Sequence, residues 1–330
     1  MSTEQVSIII PTAGRVTELR RLLTALLNQT YTNFEVIIVN KGPIDEITKV
    51  ICVFKKKMKI KLLREDRGLV PQLNLGITNS SGSIIARIDD DAYPISTWIE
   101  ELVKPFNTSS VTAGTTGPSL VPVEMIKNRD SLIFLRRMLA STKFVYTILR
   151  GLYLYILLEK KWQHPGLITQ SGATTWGGAI GTYAITHKPM EVMFMCPANM
   201  AVKRDVLYEV GLFDENYKGI GTFSEPDLAL QILRKGYKIF YNPKAIVYHL
   251  VSKSGIFPAR FSTFNEGYNL LRFISKNILP MYGIRCVLRV LLHILLVNGY
   301  WLYLFRKTRS VEVLKGFFGI MACMRDRFYA

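Results

Sequence analysis

Residues 83–94 read SIIARIDDDAYP, a short apolar run followed at once by three acids. The apolar half is typical of a buried strand. Asp89, Asp90 and Asp91 repel one another and are poor strand formers. They suit a hard divalent cation, Mg²⁺ or Mn²⁺, which takes carboxylate oxygens and keeps its other positions for water and phosphates. A metal site is therefore expected here, and a solvated acidic turn is the alternative.

Strand and helix patterns alternate along the first third of the chain. Strands are predicted at Val6–Ile10, Glu35–Asn40, Lys59–Leu63 and Ser83–Ile88, and helices at Leu19–Leu27, Leu69–Asn79 and Ser96–Phe106. This alternation predicts an α/β fold with a mostly parallel sheet flanked by helices. Ligands of such sheets bind outside the carboxyl ends of the strands. A nucleotide-like ligand is therefore expected beside the three aspartates.

The overall charge is strongly positive. The 330 residues include 42 Lys and Arg against 25 Asp and Glu, a net charge of +17. This predicts an anionic partner: nucleic acid, anionic lipid or a phosphorylated substrate. A non-enzymatic nucleic-acid-binding protein is one alternative. However, the basic residues lie among Leu, Phe and Tyr in helical runs, not in a compact recognition motif, so no nucleic-acid partner is expected.

The cysteines and the N-terminus bear on location. Four cysteines stand far apart without metal-site spacing, which is typical of reduced core thiols in the cytosol. The N-terminal residues lack the basic and apolar regions of a signal peptide. We therefore expect a cytoplasmic protein.

The composition changes after residue 250. Residues 250–330 hold 12 basic and three acidic residues, a net charge of +9. Val290–Phe305 lacks Lys and Arg, but as a helix it would reach only about 24 Å, less than the hydrocarbon core of about 30 Å. We expect this helix and Lys315–Met324 to lie on a membrane surface, anchored on anionic headgroups. A single span and a helical pair packed on the α/β domain are the alternatives. Leu132–Leu158 is also basic and amphipathic, and either packs on the domain or lies on a membrane.

Seven segments of the chain share an order and a spacing that point to one family. They are VSIIIPTAGR, LLNQTYTNFEVIIVNKG, LNLGI, SGSIIARIDDDAYP, MCPANMAVKRDVLYEVGLFDENY, SEPDLALQILRKGYKIFYNP and AIVYH. Together, from about Val6 to His249, they resemble family 2 glycosyltransferases of the GT-A fold. The resemblance implies a GT-A catalytic domain over 1–250, with a nucleotide-sugar-binding half at 1–120 and an acceptor-side half at 190–250. Residues 251–330 would be a membrane-associating tail of basic, apolar helices.

The resemblance also implies a reaction. An inverting enzyme of this kind moves a sugar from a nucleotide-sugar donor to a hydroxyl of a glycan or lipid-linked acceptor, with help from Mg²⁺ or Mn²⁺. We expect it at the inner face of the cell membrane, attached peripherally to the anionic surface. A polyprenyl-phosphate sugar synthase, whose acceptor is a lipid phosphate, is the alternative within enzymes.

Residue by residue, the resemblance assigns the donor side of the site. Asp89, Asp91 and His249 would hold the metal. The residues expected to bind the donor are Pro11, Thr12, Arg15, Asn40, Asn74, Asp89 and Asp90. Asn40 and Lys41 stand where the family usually carries aspartates, one of which contacts the nucleobase. The identity of the nucleotide therefore stays open.

The acceptor side follows in the same way. Glu225 falls on the position of the general base, and Asp227 comes two residues later, so both are candidate catalytic residues. From the residues alone, SEPD also suits the acidic first turn of a helix. Trp176 is expected to stack on an acceptor sugar, with a structural aromatic as the alternative, and Asn199 is expected to line the acceptor side.

Overall fold

The computed structural model describes residues 4–122, 124–125, 130–175, 188–252 and 262–328. Its strands are β1 (Val6–Thr12), β2 (Phe34–Asn40), β3 (Ile60–Arg64), β4 (Ile84–Arg87), β5 (Ala92–Pro94), β6 (Thr112–Thr116), β7 (Ser119–Leu120), β8 (Met190–Val192), β9 (Met200–Lys203), β10 (Lys238–Tyr241) and β11 (Val247–His249). Within these residues, eight strands form the central sheet in the order β3–β2–β1–β4–β9–β6–β10–β8.

Most neighbours in this sheet are parallel. β1 pairs with β2 and β4, β2 with β3, and β6 with β10, all in parallel, whereas β9 and β8 run antiparallel to their neighbours. The predicted α/β fold is therefore confirmed. Thr12 and Asn40 lie side by side at the ends of β1 and β2, and the acidic run begins just after β4 at the same edge.

The helices cover both faces of the sheet. They are α1 (Val16–Leu27), α2 (Asp45–Phe54), α3 (Leu69–Thr78), α4 (Trp98–Val103), α5 (Asp130–Ala140), α6 (Phe144–Gly151), α7 (Arg204–Glu209), α8 (Ser224–Arg234), α9 (Thr263–Phe273), α10 (Leu279–Tyr282), α11 (Val287–Thr308) and α12 (Lys315–Phe328). The helix predicted at Ser96–Phe106 is shorter, because its C-terminal part is a 3₁₀ turn at Lys104–Asn107. Pro105 in that turn cannot donate the hydrogen bond that an α-helix needs.

Alternate residues of β1 enter two cores. Ile8 and Ile10 pack with α1 on one face, and Ile9 packs with α3 on the other. Gly76 allows α3 to approach this closely, because a Cβ there would lie 2.7 Å from Cγ2 of Ile9. The cysteines are free thiols as expected, but only Cys286 and Cys323 are buried, and Cys52 is exposed.

A small second sheet fixes the histidine. Its order is β5–β11–β7, and β11 pairs antiparallel with β5 so that His249 lies opposite Ala92. Since Ala92 directly follows the three aspartates, this pairing carries the imidazole to the acidic run. A histidine far along the chain thus reaches the end of β4 through backbone pairing.

The C-terminal helices begin inside the core. Leu270, Phe273 and Ile278 belong to the same buried cluster as Ile9 of β1. A π-helical turn at Ile274–Ile278 joins α9 to α10, and a 3₁₀ turn at Gly283–Cys286 leads into α11. The first part of the region after 250 therefore packs on the α/β domain, and the division of the chain near 250 stays a prediction.

Candidate active site

The acidic run and the end of β11 form a cluster of metal-ligand type. One atom each of Asp89, Asp91 and His249 lies within 4.8 Å of the others. Nε2 of His249 lies 3.2 Å from Oδ1 of Asp91 and 3.9 Å from Oδ2 of Asp89. Two carboxylates and an imidazole at one point are a donor set that fits a divalent cation such as Mn²⁺ or Mg²⁺. The structure thus brings together the three predicted metal ligands.

Asp91 is held as a buried anion. Its side chain is 4% exposed, and burial alone would raise its pKa. The His249 imidazole and the Arg15 guanidinium, whose Nη1 lies 2.8 Å from Oδ2, outweigh burial and hold the pKa of Asp91 below its usual range. The backbone N–H of Ser252 donates to the same oxygen at 2.9 Å. The carboxylate is therefore ionised and fixed.

Asp90 lies between partners from the first loop. It accepts hydrogen bonds from Oγ1 of Thr12 at 2.5 Å and from Nε of Arg15 at 3.1 Å. Burial outweighs the arginine and raises the pKa of Asp90 to about 7. Pro11 is a buried residue of β1 beside Thr12. The predicted donor residues Thr12, Arg15 and Asp90 thus form one bonded unit that ties the loop after β1 to the acidic run.

Glu225 lies in the first turn of α8 and forms an ion pair with Arg87 at the end of β4. Both side chains are 5% exposed. Nη2 of Arg87 also lies 3.3 Å from Oδ1 of Asp89. The Arg87 guanidinium therefore links the candidate base Glu225 to the candidate metal ligand Asp89. Arg87 itself is a residue that sequence reasoning missed. An arginine inside an otherwise apolar strand was the signal that could have found it, because buried cations require anionic partners.

The residue before α8 has an unusual backbone. Phe223 has a φ of 73°, in the left-handed region that non-glycine residues rarely adopt. Its ring stacks on that of Phe273 in α9, with centroids 5.2 Å apart. Strained backbone persists where surrounding packing holds it. This stacking fixes the start of α8 and so the place of Glu225.

Asp227 faces away from Glu225 and binds the C-terminal region. It accepts hydrogen bonds from Nζ of Lys276 at 2.8 Å and from Nδ2 of Asn277 at 2.6 Å. Lys276 also bonds Asp214, at 2.8 Å. Two cationic side chains, Lys276 and Arg272, hold the pKa of Asp214 below its usual range despite burial. The structure therefore does not bring Asp227 to Glu225, but places it in a network that anchors α8 to the turn after α9.

Two predicted donor residues have their amides bonded within the protein. Oδ1 of Asn40 accepts from the backbone N–H of Gly14 at 3.3 Å, and its Nδ2 donates to Gly42 and Pro43 carbonyls. Asn74 exchanges two hydrogen bonds with the backbone of Phe213, at 2.9 and 3.1 Å. Asn40 thus shapes the loop after β2, and Asn74 joins the donor and acceptor halves.

Asn199, which is predicted to line the acceptor side, is bonded within the protein. Asn199 is fully buried, accepts from Nε1 of Trp98 at 2.8 Å and donates to the carbonyls of Pro118 and Ala245 at 2.9 and 2.7 Å. Its amide joins three segments beneath the site. Trp176 lies outside the described residues.

A cleft of about 380 Å³ opens beside these residues. Its lining includes Arg87, Asp89, Glu225 and His249. Residues from the middle of the chain and the C-terminal region also line it, among them Tyr153, Thr174 and His293. Asp89 of the acidic run and the buried base candidate Glu225 therefore share one cleft.

The fold of this chain is similar to the folds of solved glycosyltransferase structures. The mannosyltransferase PcManGT from Pyrobaculum calidifontis, in complex with GDP-Man and Mn²⁺, superimposes with a TM-score of 0.57 at 16% identity, over 99% of this chain and 88% of that one. GalNAc-T7 with UDP, GalNAc and Mn²⁺ superimposes with a TM-score of 0.54 at 12% identity, over 83% of this chain and 48% of that one. At such identities the likeness shows the GT-A fold.

Curated relatives match over shorter stretches. The glycosyltransferase AglE of Haloferax volcanii is 32% identical over 111 residues, 32% of this chain and 36% of that protein. An uncharacterised glycosyltransferase of Rickettsia bellii is 39% identical over 88 residues, 26% of this chain and 13% of that protein. The matched stretches thus span well under half of these relatives. The model of the family described as "Glycosyl transferase family 2" matches residues 7–211, more than half of the sequence, and the chain belongs to this family.

Proposed function

We propose that the protein transfers a sugar from a nucleotide-sugar donor to a hydroxyl of a glycan or lipid-linked acceptor, with inversion at the anomeric carbon. One observation carries the proposal. The Glu225 carboxylate lines the same cleft as Asp89 and His249, and Arg87 joins it to the acidic cluster. A metal site and a separate carboxylate base are the minimum set for direct displacement at an anomeric carbon.

Glu225 supplies the base in this mechanism. Its buried carboxylate is held in place by Arg87 and accepts the proton of the acceptor hydroxyl during attack. A single displacement inverts the anomeric configuration. Asp227 is bonded to Lys276 and Asn277, which leaves Glu225 as our choice of base.

Asp89, Asp91 and His249 would hold Mg²⁺ or Mn²⁺ against the diphosphate of the donor. When bound, such an ion acts as a Lewis acid that stabilises the negative charge on the leaving diphosphate. Arg15 and Thr12 keep the acidic run in place through Asp90. The identity of the donor sugar and of its nucleotide is a matter for the assay described below.

We also place the protein at the inner surface of the membrane. In the described part of the chain, one helical segment, Thr263–Thr308, has the length and apolar character needed to cross a bilayer, with 22% of its most apolar window buried. In α11, Val290, His293, Trp301 and Leu304 face the protein, whereas Leu288 is 81% exposed. A helix with one side packed on the domain and one apolar side exposed suits a position in the plane of the interface.

Donor binding tests the proposal. The purified protein is mixed with a panel of UDP-, GDP- and dTDP-sugars with and without Mn²⁺, and the melting temperature is measured. We expect one donor to raise it only with Mn²⁺. Asp89→Asn should abolish this shift, because it removes a metal ligand, whereas Glu225→Gln should retain it and lose transfer. A donor shift that is unchanged in both Asp89→Asn and Asp91→Asn would show that the acidic run is only a turn.

A further inference from the structure

Two helical segments that contribute Tyr153 and His293 to the lining of the cleft also carry exposed apolar side chains. In α6 and the π-helical turn that follows, Phe144 is 78% and Tyr155 61% exposed. In α11, Leu288 is 81% and Leu295 65% exposed. The two segments are neighbours, since Leu154 packs in one cluster with Leu292 and Leu296 of α11. We call the exposed residues of both segments the apolar face; they are Phe144, Val145, Ile148, Tyr155, Ile156, Leu288, Leu291 and Leu295.

The same two segments send polar side chains into the cleft. Tyr153 and His293 both line it, together with Arg87 and Glu225. Nδ1 of His293 lies 2.8 Å from the carbonyl oxygen of Ser171. Because a carbonyl only accepts, Nδ1 carries the proton, and in the neutral ring Nε2 is an acceptor. Burial raises the pKa of Tyr153 to about 12, so its hydroxyl stays protonated and can donate. The pair offers a donor and an acceptor, which is what a sugar hydroxyl requires.

The distance between the two sides is short. His293 and the exposed Leu291 and Leu295 lie on opposite sides of one helix, and an α-helix with its side chains is about 10–12 Å across. The apolar side chains of α11 therefore lie within about one helix diameter of the cleft, a distance that a molecule with an apolar tail and a polar head can span. Anchoring and acceptor binding are built on the same helices.

We propose that the acceptor is a saccharide joined to a lipid, that its tail stays in the bilayer under the apolar face during transfer, and that Tyr153 and His293 bind its sugar. The proposal rests on the proposed function and narrows the acceptor from glycans in general to membrane-resident amphiphiles.

Charge favours a bilayer over another occupant of this face. Residues 130–159 contain four basic and two acidic residues, and residues 279–309 contain five basic and no acidic residues. Glu159 lies 3.5 Å from Arg289, but the border as a whole stays net positive. An apolar face with a net positive border matches anionic headgroups over a hydrocarbon interior. A second copy of this chain would bring two such positive borders together and be repelled.

A photoreactive glycolipid tests the proposal. The probe has a dipalmitoylglycerol tail and an N-acetylglucosamine headgroup that carries a diazirine. It is placed in vesicles of 30% phosphatidylglycerol and 70% phosphatidylcholine, and crosslinked peptides are identified by mass spectrometry. We expect crosslinks on the peptides that contain Tyr153 and His293. The methyl glycoside with the same diazirine, at equal concentration, should give at least tenfold fewer.

Variants separate the face from the cleft. Leu288→Glu with Leu295→Glu should lower vesicle binding by at least about 100-fold, because each replaces an apolar side chain of the face with a charged one, and crosslinking should fall with it. Val53→Glu, at an apolar residue of α2 that is 57% exposed, is the matched control and should change neither. Tyr153→Phe and His293→Gln should keep vesicle binding and lower crosslinking several-fold.

The outcomes divide clearly. Equal labelling by the methyl glycoside, or labelling that avoids both peptides, would overturn the lipid-linked acceptor. The same follows if the α11 double variant still binds vesicles as the unmodified protein does. The Mn²⁺-dependent donor shift is measured on the same samples. If the unmodified protein shows no Mn²⁺-dependent donor shift, the proposed function is refuted, whatever the crosslinks show.

Discussion

Glu225→Gln is the substitution that most directly tests the proposal that Glu225 is the general base. The substitution keeps the size of the side chain and removes its capacity to take a proton. In the structure it also removes the main charge partner of a buried guanidinium, since among the described residues the remaining ion-pair partner of Arg87 is Asp89, at 3.3 Å. Two effects are therefore expected together, one on the transfer reaction and one on the free energy of unfolding.

The effect on the transfer rate and the effect on stability differ in size, and a second substitution relieves only the loss of stability. Loss of a general base lowers the rate of the chemical step by about 10²–10⁴-fold. Breaking a buried ion pair from one side costs about 3–5 kcal/mol, and we expect the lower end because glutamine retains a hydrogen-bond acceptor. Adding Arg87→Met removes the stranded cation. The double variant should then be more stable than the sum of the single changes implies, by about 1–3 kcal/mol.

Asp227→Asn is the matched control, the same acid-to-amide change two residues along the same helix. It weakens the bonds to Lys276 and Asn277 and so should lower stability while leaving the single-turnover transfer rate within about tenfold of the unmodified protein. Transfer is followed by nucleotide release in single turnover at saturating donor, and stability by urea unfolding. Recovery of transfer in the double variant of Glu225 and Arg87 would refute our assignment, because Glu225 would then serve only to neutralise the arginine. The opposite ranking, with Asp227→Asn inactive and Glu225→Gln active, would move the base to Asp227.

Two further predictions concern buried polar groups outside the chemistry. Asn199→Ala leaves the buried Trp98 indole N–H and the Ala245 carbonyl without these bonds, while the Pro118 carbonyl keeps the N–H of Val247. We therefore expect a loss of at least about 2 kcal/mol in urea unfolding with the Mn²⁺-dependent donor shift intact at low temperature; a stable variant with an altered acceptor KM would return Asn199 to the acceptor side. Glu35 has its pKa lowered to about 2, against burial, by hydrogen bonds from Ser81, Lys59 and Ser7, so its stabilising effect is present above pH 4.5 and is lost as pH falls towards 2. Glu35→Gln should therefore be about 1–3 kcal/mol less stable at pH 7 and approach the unmodified protein near pH 2, and a pH-independent difference would contradict this origin.

The sheet and the acidic run could be predicted because their signals are local. The run Val6–Ile10 is apolar except for Ser7, as is typical of a strand covered on both faces. Three adjacent acids at a strand end have few uses other than a cation or a turn. The partners of these residues are a different matter. Asp90 is bonded to Thr12 and Arg15, 78 and 75 residues away in sequence, and no local pattern says which of three aspartates turns towards them.

Amide side chains show the same limit. Asn40, Asn74 and Asn199 were predicted as ligand contacts from their positions in family motifs, yet each bonds the protein's own backbone. The amide of an asparagine can form hydrogen bonds with a loop backbone or with a ligand equally well. Only the folded structure shows which of these polar groups it contacts. The prediction that each contacts a ligand stays untested, but these bonds already occupy the amides.

The C-terminal region was ambiguous for a related reason. Hydropathy counts apolar residues without saying which side of a helix they occupy, so α11 fitted a span, an interfacial helix and a packed helix. The structure shows two sides: Val290 and His293 face the protein, and Leu288 and Leu295 face outward. One side of α11 is therefore packed and the other exposed. Hydropathy averaged over the length of the helix does not show this difference.

The two-residue spacing of Glu225 and Asp227 already indicates, from the sequence, that their side chains point in different directions. A helix turns about 100° per residue, so residues two apart point about 200° apart and face opposite sides. If SEPD begins a helix, only one of its two acids can face a given cleft. We therefore expect the two carboxylates to have separate roles, and Asp227 bonds Lys276 and Asn277. Which acid takes which side depends on where α8 begins, and Phe223, with its left-handed backbone stacked on Phe273, sets that start.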